Sequence, residues 1–312
     1  MNGDGRKDIL ISSFSGVPQW VENTESGWGE STDVLDQNGD AVVIADFWNN
    51  DTEEWDETDR SGSKGQCTSV AALDWDDDGD LDLLLGDYDR EGRLYVRLNV
   101  GSATETRFAT TNFPINVGSE KVSIEGGVGA PRVVDWNGDG MFDILVGSIR
   151  GGVYLLQNIG EKGSPKFDEL ATLIEPLPGA SGAKQVKRVQ VKNGQPVGPG
   201  SSFHIEPVDY DGDGDLDLLV GGRSEWLTAP IKEPTKEDIE HAEQLKEQMD
   251  DAWAKFREHK ATAKTKEEEK ELASTEKYRE LLGEYQRIRS ERYKLTRDPT
   301  ELGDRIWLFR RK

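Results

Sequence analysis

The feature that most constrains this chain is an acidic nine-residue pattern, D-x-[DN]-x-D-G-x-x-D, which occurs in three full copies. The copies are Asp74–Asp82, Asp135–Asp143 and Asp209–Asp217, and a shorter copy, Asn2–Asp8, opens the chain. Asp, Asn and Gly are common turn residues, so a single copy would indicate no more than an acidic turn. Recurrence in one local context instead indicates a structural repeat in which the loop has a shared role.

The segments that follow the loops are also alike. Each loop leads into an apolar run, such as Ile144–Gly147, and a glycine-containing turn then precedes a second strand that carries an aromatic residue, such as Tyr154. An asparagine, such as Asn158, ends that second strand. Short β units that repeat with turn signals between them predict a mainly β fold, and we interpret them as blades of a β-propeller. Four blades are visible in the sequence, and they need not form a complete ring.

The loop pattern predicts a calcium site. Calcium takes about six to eight oxygen ligands, and side chains at alternate loop positions converge when the backbone curls around one centre. Glycine at position six permits the sharp bend, and position seven would supply a backbone carbonyl. Magnesium fits less well, because it demands a rigid octahedron and keeps its waters. The predicted ligand residues are Asp74, Asp76, Asp78, Asp80 and Asp82; Asp135, Asn137, Asp139, Met141 and Asp143; Asp209, Asp211, Asp213, Asp215 and Asp217; and Asn2, Asp4, Arg6 and Asp8. Among these, Asp80, Met141, Asp215 and Arg6 stand at position seven.

An EF-hand shares the first half of this pattern and must be excluded. It needs a bidentate Glu at loop position twelve and a helix on each side. Position twelve is occupied here by Leu85, Val146 and Val220, each within a β-rich run. The EF-hand interpretation is therefore rejected.

With this loop set between two strands, the chain resembles the FG-GAP/VCBS repeat family, whose calcium loops also occur in integrin α propellers. Gly129–Pro131, just before the third loop, matches the "GAP" half of the name. The resemblance covers roughly residues 1–230 and the last dozen. It implies a propeller in which calcium stiffens each blade, and an extracellular or periplasmic location. It implies no particular ligand, because the family includes adhesion, carbohydrate-binding and enzyme-associated members.

Two places depart from the pattern. In the first copy, Met1 occupies position two and the aspartate of position one is missing, so we expect the native reading frame to begin upstream of a truncated first site. Asp36–Asp40 resembles a loop but lacks the required Gly and Asp, and Asn38–Gly39 favours a two-residue hairpin turn, as does Asn193–Gly194. Residues 46–66 are interpreted as a decayed loop or an insertion.

The composition changes after Pro234. Thr235 is a plausible N-cap, and two apolar stripes at helical spacing, separated by a polar stretch from Lys260 to Glu271, predict a long antiparallel α-helical hairpin. The predicted domains are a propeller over residues 1–231 and 299–312 and a helical insertion over 232–298. The insertion is either a spacer or an arm for partner binding or self-association.

Composition excludes several functions. Acidic residues outnumber basic ones by 61 to 38, and the net charge of −23 argues against binding to nucleic acid or to an anionic membrane surface. No apolar run approaches the roughly 20 residues of a membrane span. Cys67 is the single cysteine, which rules out an internal disulfide or a thiolate metal site.

No catalytic motif is present, and His204, in the strand that enters the fourth loop, favours a packing or hydrogen-bonding role. Two hypotheses remain. The first is a non-catalytic binding or adhesion module for a glycan or protein; the second is a propeller enzyme, or enzyme-associated domain, that acts on polysaccharide as a lyase or hydrolase. Candidate residues for stacking on sugar rings are Trp28, Trp48, Trp55 and Trp226, and a basic hairpin for an anionic glycan contains Lys184, Lys187, Arg188 and Lys192.

Overall fold

The structure is a computed structural model that describes residues 1–12, 16–44, 47–49, 54–56, 69–86, 92–125, 127, 129–176, 191–192, 195–227, 234–296 and 300–311. The fold is mainly β, with several antiparallel sheets and three helices. The chain divides into two compact units, Met1–Glu225 together with Leu302–Lys312, and Trp226–Glu301.

The three helices follow one another between the last two strands, and every other element is a strand. The strands are β1 (Ile9–Ile11), β2 (Gln19–Thr24), β3 (Gly27–Asp33), β4 (Phe47–Asn49), β5 (Glu54–Asp56), β6 (Ser69–Leu73), β7 (Asp82–Gly86), β8 (Leu94–Arg97), β9 (Phe113–Pro114), β10 (Asn116–Val117), β11 (Glu120–Lys121), β12 (Gly129–Val134), β13 (Asp143–Ser148), β14 (Val153–Leu156), β15 (Ala171–Ile174), β16 (Val191–Lys192), β17 (Gln195–Pro196), β18 (Ser201–Val208), β19 (Asp217–Leu227) and β20 (Thr300–Phe309). The helices are α1 (Lys236–Lys260), α2 (Lys266–Ser274) and α3 (Glu276–Thr296).

Four sheets carry the repeats. The first sheet has the order β1-β2-β3, the second β6-β7-β8-β9, the third β12-β13-β14-β15 and the fourth β18-β19-β20. Three short two-stranded pairs, β4-β5, β10-β11 and β16-β17, lie outside them. Within the described ranges every sheet is open, and none closes on itself.

The central strands of the second and third sheets are buried on both faces. Every residue of β13 is buried, and its register with β14 pairs Ile144 with Leu156 and Leu145 with Leu155. Because successive side chains of a strand point to opposite faces, such a run must be apolar throughout when sheets cover both sides. The continuous apolar run after each loop is therefore a consequence of sheet stacking.

Hydrophobic clusters join neighbouring sheets into a row. One cluster joins the first and second sheets and contains Leu83 and Leu85. Another joins the second and third sheets and contains Leu84 and Ile144. A further one joins the third and fourth sheets around Leu145. Each sheet thus packs face to face with the next one along the chain.

A glycine at the end of the central strand permits this close packing. A Cβ atom built on Gly86 would lie 2.1 Å from the carbonyl oxygen of Gly129, in the third sheet. A Cβ on Gly147 would lie 2.4 Å from the carbonyl oxygen of Phe203, in the fourth sheet. Real Cβ contacts are never this short, so any side chain here would push the sheets apart.

The helical unit has an apolar seam between α1 and α3. Leu245, Ala252 and Ile288 form its buried cluster, and the rings of Trp253 and Tyr285 lie 4.8 Å apart. Phe256 packs edge-on against Tyr278 further along. Since later residues of α1 meet earlier residues of α3, the two helices run in opposite directions.

The predicted polar connection between two helices is wrong in part, because it contains α2. Thr265 begins this helix with a capping box, in which its hydroxyl accepts the Glu268 N–H at 3.2 Å while the Glu268 carboxylate accepts the Thr265 N–H at 3.3 Å. Thr275 has an extended backbone and separates α2 from α3. Two threonines therefore set the boundaries that the apolar periodicity did not reveal.

The structure also tests the predictions for Asn38–Gly39, Trp226 and His204. At Asn38–Gly39 the chain does turn, but Gln37 also lies in the connection, because Asp36 and Asp40 are bonded to each other. Trp226, a candidate for stacking on sugar rings, is buried. His204 was expected to be packed or hydrogen-bonded, and in the structure it is exposed.

Other expectations fall on residues outside the described ranges. These are residues 46, 50–53 and 57–66, the side chains of Trp48 and Trp55, Asn193–Gly194, Cys67, and Lys184, Lys187 and Arg188. No helix in the described part of the chain is long and apolar enough to cross a membrane.

Candidate metal loops

Each full acidic loop connects two adjacent antiparallel strands of one sheet. The second loop (Asp74–Asp82) joins β6 to β7, the third loop (Asp135–Asp143) joins β12 to β13, and the fourth loop (Asp209–Asp217) joins β18 to β19. The first loop (Asn2–Asp8) leads into β1. The loops thus occupy equivalent places in the four sheets.

The aspartate at position one organises the backbone of its loop. In the third loop, Asp135 Oδ1 accepts the N–H groups of Gly138 at 2.7 Å and Asp139 at 3.1 Å, and its Oδ2 accepts that of Gly140 at 2.9 Å. Asp74 and Asp209 accept backbone N–H groups in the same way. These bonds curl the loop around the carboxylate, so position one shapes the site as well as lining it.

Positive φ angles occur at loop positions four and six. Position six is glycine, as the sequence analysis anticipated, and Gly79 has φ 92°. Position four has the same requirement: Gly138 and Gly212 both have φ 77°, and Asp77 adopts φ 60° despite its Cβ. Position four was not predicted to need a positive φ, although the glycines of the third and fourth loops indicate it.

Carboxylates at positions one, three and five converge in two loops. In the second loop one oxygen from each of Asp74, Asp76 and Asp78 lies within 4.8 Å of the other two. The fourth loop brings Asp209, Asp211 and Asp213 together in the same way, again within 4.8 Å. Charges this close repel one another strongly without a cation.

The third loop differs because position three is an amide. The Asn137 side chain donates to Asp139 Oδ2 at 2.8 Å, and its own oxygen accepts the Asp139 N–H at 3.1 Å. The amide thus takes a place that an acid holds in the second and fourth loops. An amide oxygen is still an acceptable calcium ligand.

The carboxylate at position nine links its loop to the end of the next strand. Asp82 Oδ2 accepts the Trp75 N–H at 2.8 Å, and its Oδ1 accepts the Asn99 N–H at 2.7 Å. Asp143 does the same with the N–H groups of Trp136 at 3.0 Å and Asn158 at 2.7 Å. Position nine stays a predicted calcium ligand, and in the second and third loops both of its oxygens also accept backbone N–H groups.

The fourth sheet repeats half of this link. Asp217 Oδ1 accepts the N–H of Arg311 at 2.8 Å, so Arg311 corresponds to Asn99 and Asn158 in the other sheets. β20 is therefore the equivalent of β8 and β14, although α1, α2 and α3 precede it. β20 belongs to the fourth sheet, next to β19.

The asparagines after the second strands have a structural role that sequence reasoning did not assign. Asn99 Oδ1 accepts the N–H groups of Gly101 at 3.0 Å and Arg107 at 2.9 Å. Asn158 Oδ1 likewise accepts those of Gly160 at 2.9 Å and Lys166 at 3.2 Å. Each asparagine closes the turn that follows its strand.

These turns brace the acidic loop of the preceding sheet. Lys162, in the turn after β14, pairs with Asp77 of the second loop at 2.6 Å. Arg311 donates to the Trp136 carbonyl of the third loop at 2.6 Å, and its guanidinium lies 5.0 Å from the centre of that tryptophan ring. Neighbouring sheets are thus joined at the loops as well as through their apolar faces.

Burial and crowding raise the pKa of carboxyl groups in the loops. Burial, together with the charges of Asp76 and Asp80, raises the pKa of Asp82 to about 6, against the two backbone hydrogen bonds that lower it. Burial, followed by the charges of Asp139 and Asp135, likewise raises the pKa of Asp143. Such groups favour neutralisation by a cation or a proton.

Two buried carboxylate oxygens support a fit to a cation. Asp80 Oδ1 and Asp217 Oδ2 are buried and accept no hydrogen bond. Burial, together with the charges of Asp78 and Asp76, raises the pKa of Asp80. Buried polar atoms are rarely left without a partner. An all-oxygen donor set with unsatisfied buried oxygens is the chemistry that calcium requires.

The first loop is arranged differently. Met1 N donates to Asp8 Oδ2 at 2.7 Å, which is the bond that Trp75 N and Trp136 N make in the full loops. The Arg6 guanidinium pairs with Asp4, which stands at position five, so this acid is already neutralised by a cationic side chain. Burial raises the pKa of Asp8, but the N-terminal ammonium and two backbone N–H groups outweigh it, and the net shift is downward.

Comparison with known proteins identifies the repeats. The family model described as FG-GAP-like repeat matches residues 74–146 and 135–220. The first match spans the second and third loops, and the second match spans the third and fourth loops. No curated protein matches the chain. Such repeats indicate a repeat-containing binding module. Residues 74–220 of this chain therefore consist of FG-GAP-like repeats.

Proposed function

We propose that this protein is a calcium-binding, non-catalytic module that recognises a glycan or a protein outside the cytoplasm, in the extracellular or periplasmic space. The observation that carries the proposal is the convergence of three carboxylates within 4.8 Å in both the second and the fourth loops. A monovalent ion would leave most of that charge unbalanced, whereas a divalent ion with flexible coordination matches it.

The proposed ligands are the predicted loop residues. In the second and fourth loops they include the acids at positions one, three and five, with Asp80 and Asp217 contributing the buried oxygens described above. In the third loop Asn137 replaces one acid. In the first loop the ion pair between Arg6 and Asp4 competes with calcium for that carboxylate. When bound, calcium would neutralise the crowded acids and tie successive loop positions together.

The row of four sheets supports a propeller-like arrangement of blades. Each sheet packs face to face with the next, and the acidic loops occupy equivalent places. We propose a repeat domain over residues 1–231 and 299–312, and a helical hairpin over 232–298. The opposite directions of α1 and α3 support the hairpin.

Trp28 is the tryptophan that best supports glycan recognition. It lies in β3, and 58% of its surface is exposed. An exposed indole ring offers an apolar face for a sugar ring and an N–H group for a hydroxyl. Trp226 is buried and cannot serve in this way without rearrangement.

Calcium-dependent binding on a glycan array tests the proposal. We expect binding that is lost in chelator, and a Trp28→Ala variant that keeps its calcium but binds its glycan at least tenfold more weakly. A Trp75→Ala variant is unsuitable as a control because Trp75 packs in the core, so Ile159→Ala, at an exposed turn position, serves instead.

The same glycans should be assayed for release of new reducing or unsaturated ends. Turnover that is abolished by one substitution outside the loops would replace the binding module with a polysaccharide-degrading enzyme. Binding that persists unchanged in chelator would contradict the role of calcium.

A further inference from the structure

The second and fourth loops contain the same cluster of three acids, but a basic side chain pairs with a different loop position in each. In the second loop, Lys162 Nζ lies 2.6 Å from Oδ1 of Asp77, at position four, which is not a proposed calcium ligand. In the fourth loop, Arg310 Nη1 lies 3.3 Å from Oδ2 of Asp211, at position three, which is a proposed ligand. The two loops are therefore partly neutralised at acids with different roles.

The residue at position four accounts for this difference. The second loop has Asp77 there and the fourth loop has Gly212, and both residues adopt a positive φ. Asp77 thus offers a basic side chain a carboxylate outside the cluster, whereas Gly212 offers none. Among the described residues, no basic side chain pairs with the clustered acids of the second loop, which are Asp74, Asp76 and Asp78.

The backbone holds Arg310 beside the fourth loop. The next residue, Arg311, donates its N–H to Asp217 Oδ1 at 2.8 Å, at position nine of the same loop. The guanidinium of Arg310 is therefore tethered close to Asp211, and an arginine stays charged throughout the physiological pH range. The pair is still an exposed one, with 57% of the Arg310 side chain and 32% of the Asp211 side chain accessible. Exposed ion pairs are weak, so a divalent ion that binds several oxygens at once can displace the guanidinium.

The oxygen donors of the two loops are otherwise matched. Each loop brings three carboxylates within 4.8 Å of one another. Each also has one buried carboxylate oxygen that accepts no hydrogen bond, Asp80 Oδ1 in the second loop and Asp217 Oδ2 in the fourth. A difference in calcium affinity between these loops should therefore come from the basic side chain that competes for a ligand.

We propose that Arg310 is an internal competitor of calcium, and that the fourth loop therefore fills at a higher calcium concentration than the second loop. This inference rests on the proposed binding of calcium. Calcium must displace the guanidinium from Asp211 before all three acids of the fourth loop can bind it, whereas Lys162 can remain on Asp77. The second loop is then a permanently filled structural site, and the fourth loop is a site that responds to the calcium supply.

Calorimetric titration of calcium into the full chain tests the proposal, one loop at a time. Asp78→Ala combined with Asp139→Ala leaves the fourth loop intact, and Asp213→Ala combined with Asp139→Ala leaves the second loop intact. The first loop is unchanged in both proteins and contributes equally to both titrations. We expect the Kd of the fourth loop to be about three- to fivefold higher than that of the second loop, as the strength of an exposed ion pair implies. Asparagine replaces alanine at these positions if circular dichroism in chelator shows that a protein has lost its fold.

Removal of the basic side chains identifies the cause. In the protein with an intact fourth loop, Arg310→Gln should lower the Kd for calcium about three- to fivefold, and Arg310→Lys, which keeps the charge, should change it less. Lys162→Gln is the matched control in the protein with an intact second loop, and it should change the Kd less than about twofold because Asp77 is not a ligand. Both side chains are more than half exposed, so we expect each variant to fold like its parent.

Three outcomes would overturn the proposal. Equal affinities of the two loops, or an unchanged Kd in Arg310→Gln, would remove the competition and leave the binding of calcium intact. Equal gains in affinity from Arg310→Gln and Lys162→Gln would assign the effect to the overall charge near a loop. A protein that binds no calcium at either loop would overturn the proposed calcium binding and this inference together.

Discussion

Replacement of Asp143, at loop position nine, distinguishes a structural role in backbone hydrogen bonding from a role as a calcium ligand. Its carboxylate has no exposed surface and accepts backbone N–H groups from Trp136 at 3.0 Å and Asn158 at 2.7 Å. Hydrogen bonds to a charged group contribute about 1.5–3 kcal/mol each, so Asp143→Ala removes about 3–6 kcal/mol of favourable interaction. Removal of a buried charge, and then relief of repulsion from Asp139 and Asp135, offsets part of this, and we expect a net loss of about 3 kcal/mol.

The assay is urea unfolding of the wild type and variants, once in chelator and once in saturating calcium. In chelator, Asp143→Ala should already be destabilised, whereas Asp139→Ala, whose side chain is on the exposed loop, should lie within about 1 kcal/mol of the wild type. In calcium, Asp139→Ala should also be less stable than the wild type, because it has lost a proposed calcium ligand. Asp143→Asn keeps one acceptor and should lose about half as much as Asp143→Ala, which provides a milder variant if the alanine protein does not fold.

A structural role for Asp143 is excluded if Asp143→Ala matches the wild type in chelator and differs from it in calcium alone. That result would make position nine a ligand with no separate structural role. Equal destabilisation of Asp139→Ala and Asp143→Ala in chelator would contradict it too, since both losses would then reflect general disruption of the loop.

Three further predictions follow from the same structure. Chelation should lower the melting temperature, and calcium at about 100 times its Kd should restore about 2.7 kcal/mol per site; an unchanged melting curve in excess chelator would contradict structural calcium. Gly212→Ala should lower the free energy of unfolding by about 1 kcal/mol in chelator, because φ at Gly212 is 77° and the space around it is open. Gly198→Ala, which has open space and no positive φ, should be neutral or slightly stabilising. Equal effects of the two substitutions on urea unfolding would contradict the role of the positive φ. Burial, followed by the charges of Glu125 and Glu175, raises the pKa of Tyr154 to about 12, so its contribution to stability should be present below about pH 10 and be lost as the pH rises toward 12. In unfolding experiments, Tyr154→Phe should lose less stability than the wild type as the pH rises over that range. Parallel curves of stability against pH would contradict a raised pKa of Tyr154.

The sequence predicted the parts of this fold that are local. A loop of nine residues places its acids, its position-six glycine and the strand that follows within one short segment, so the pattern alone identified the second, third and fourth loops. The strands after the loops were also predictable, because burial between two sheets requires the continuous apolar runs seen in β7 and β13.

The parts that were missed depend on contacts between distant residues. Asp82 binds the N–H of Asn99, and Asp217 binds that of Arg311 across the whole helical unit, so the link made by position nine cannot be read from loop spacing. The pairing of Lys162 with Asp77 likewise joins two sheets. Burial of Trp226 depends on tertiary packing in the same way.

The bracing turns suggest how a metal at one loop would affect the rest of the repeat domain. Lys162 reaches Asp77 from the following sheet, and Arg311 reaches Trp136 in the same manner. Since position one curls the loop and position nine fixes its end to a strand, the loop backbone is held at both ends before any cation binds. Calcium would then act mainly on the crowded acids between these anchors, and its stabilisation would extend to the adjoining sheet through the turn that contacts the loop.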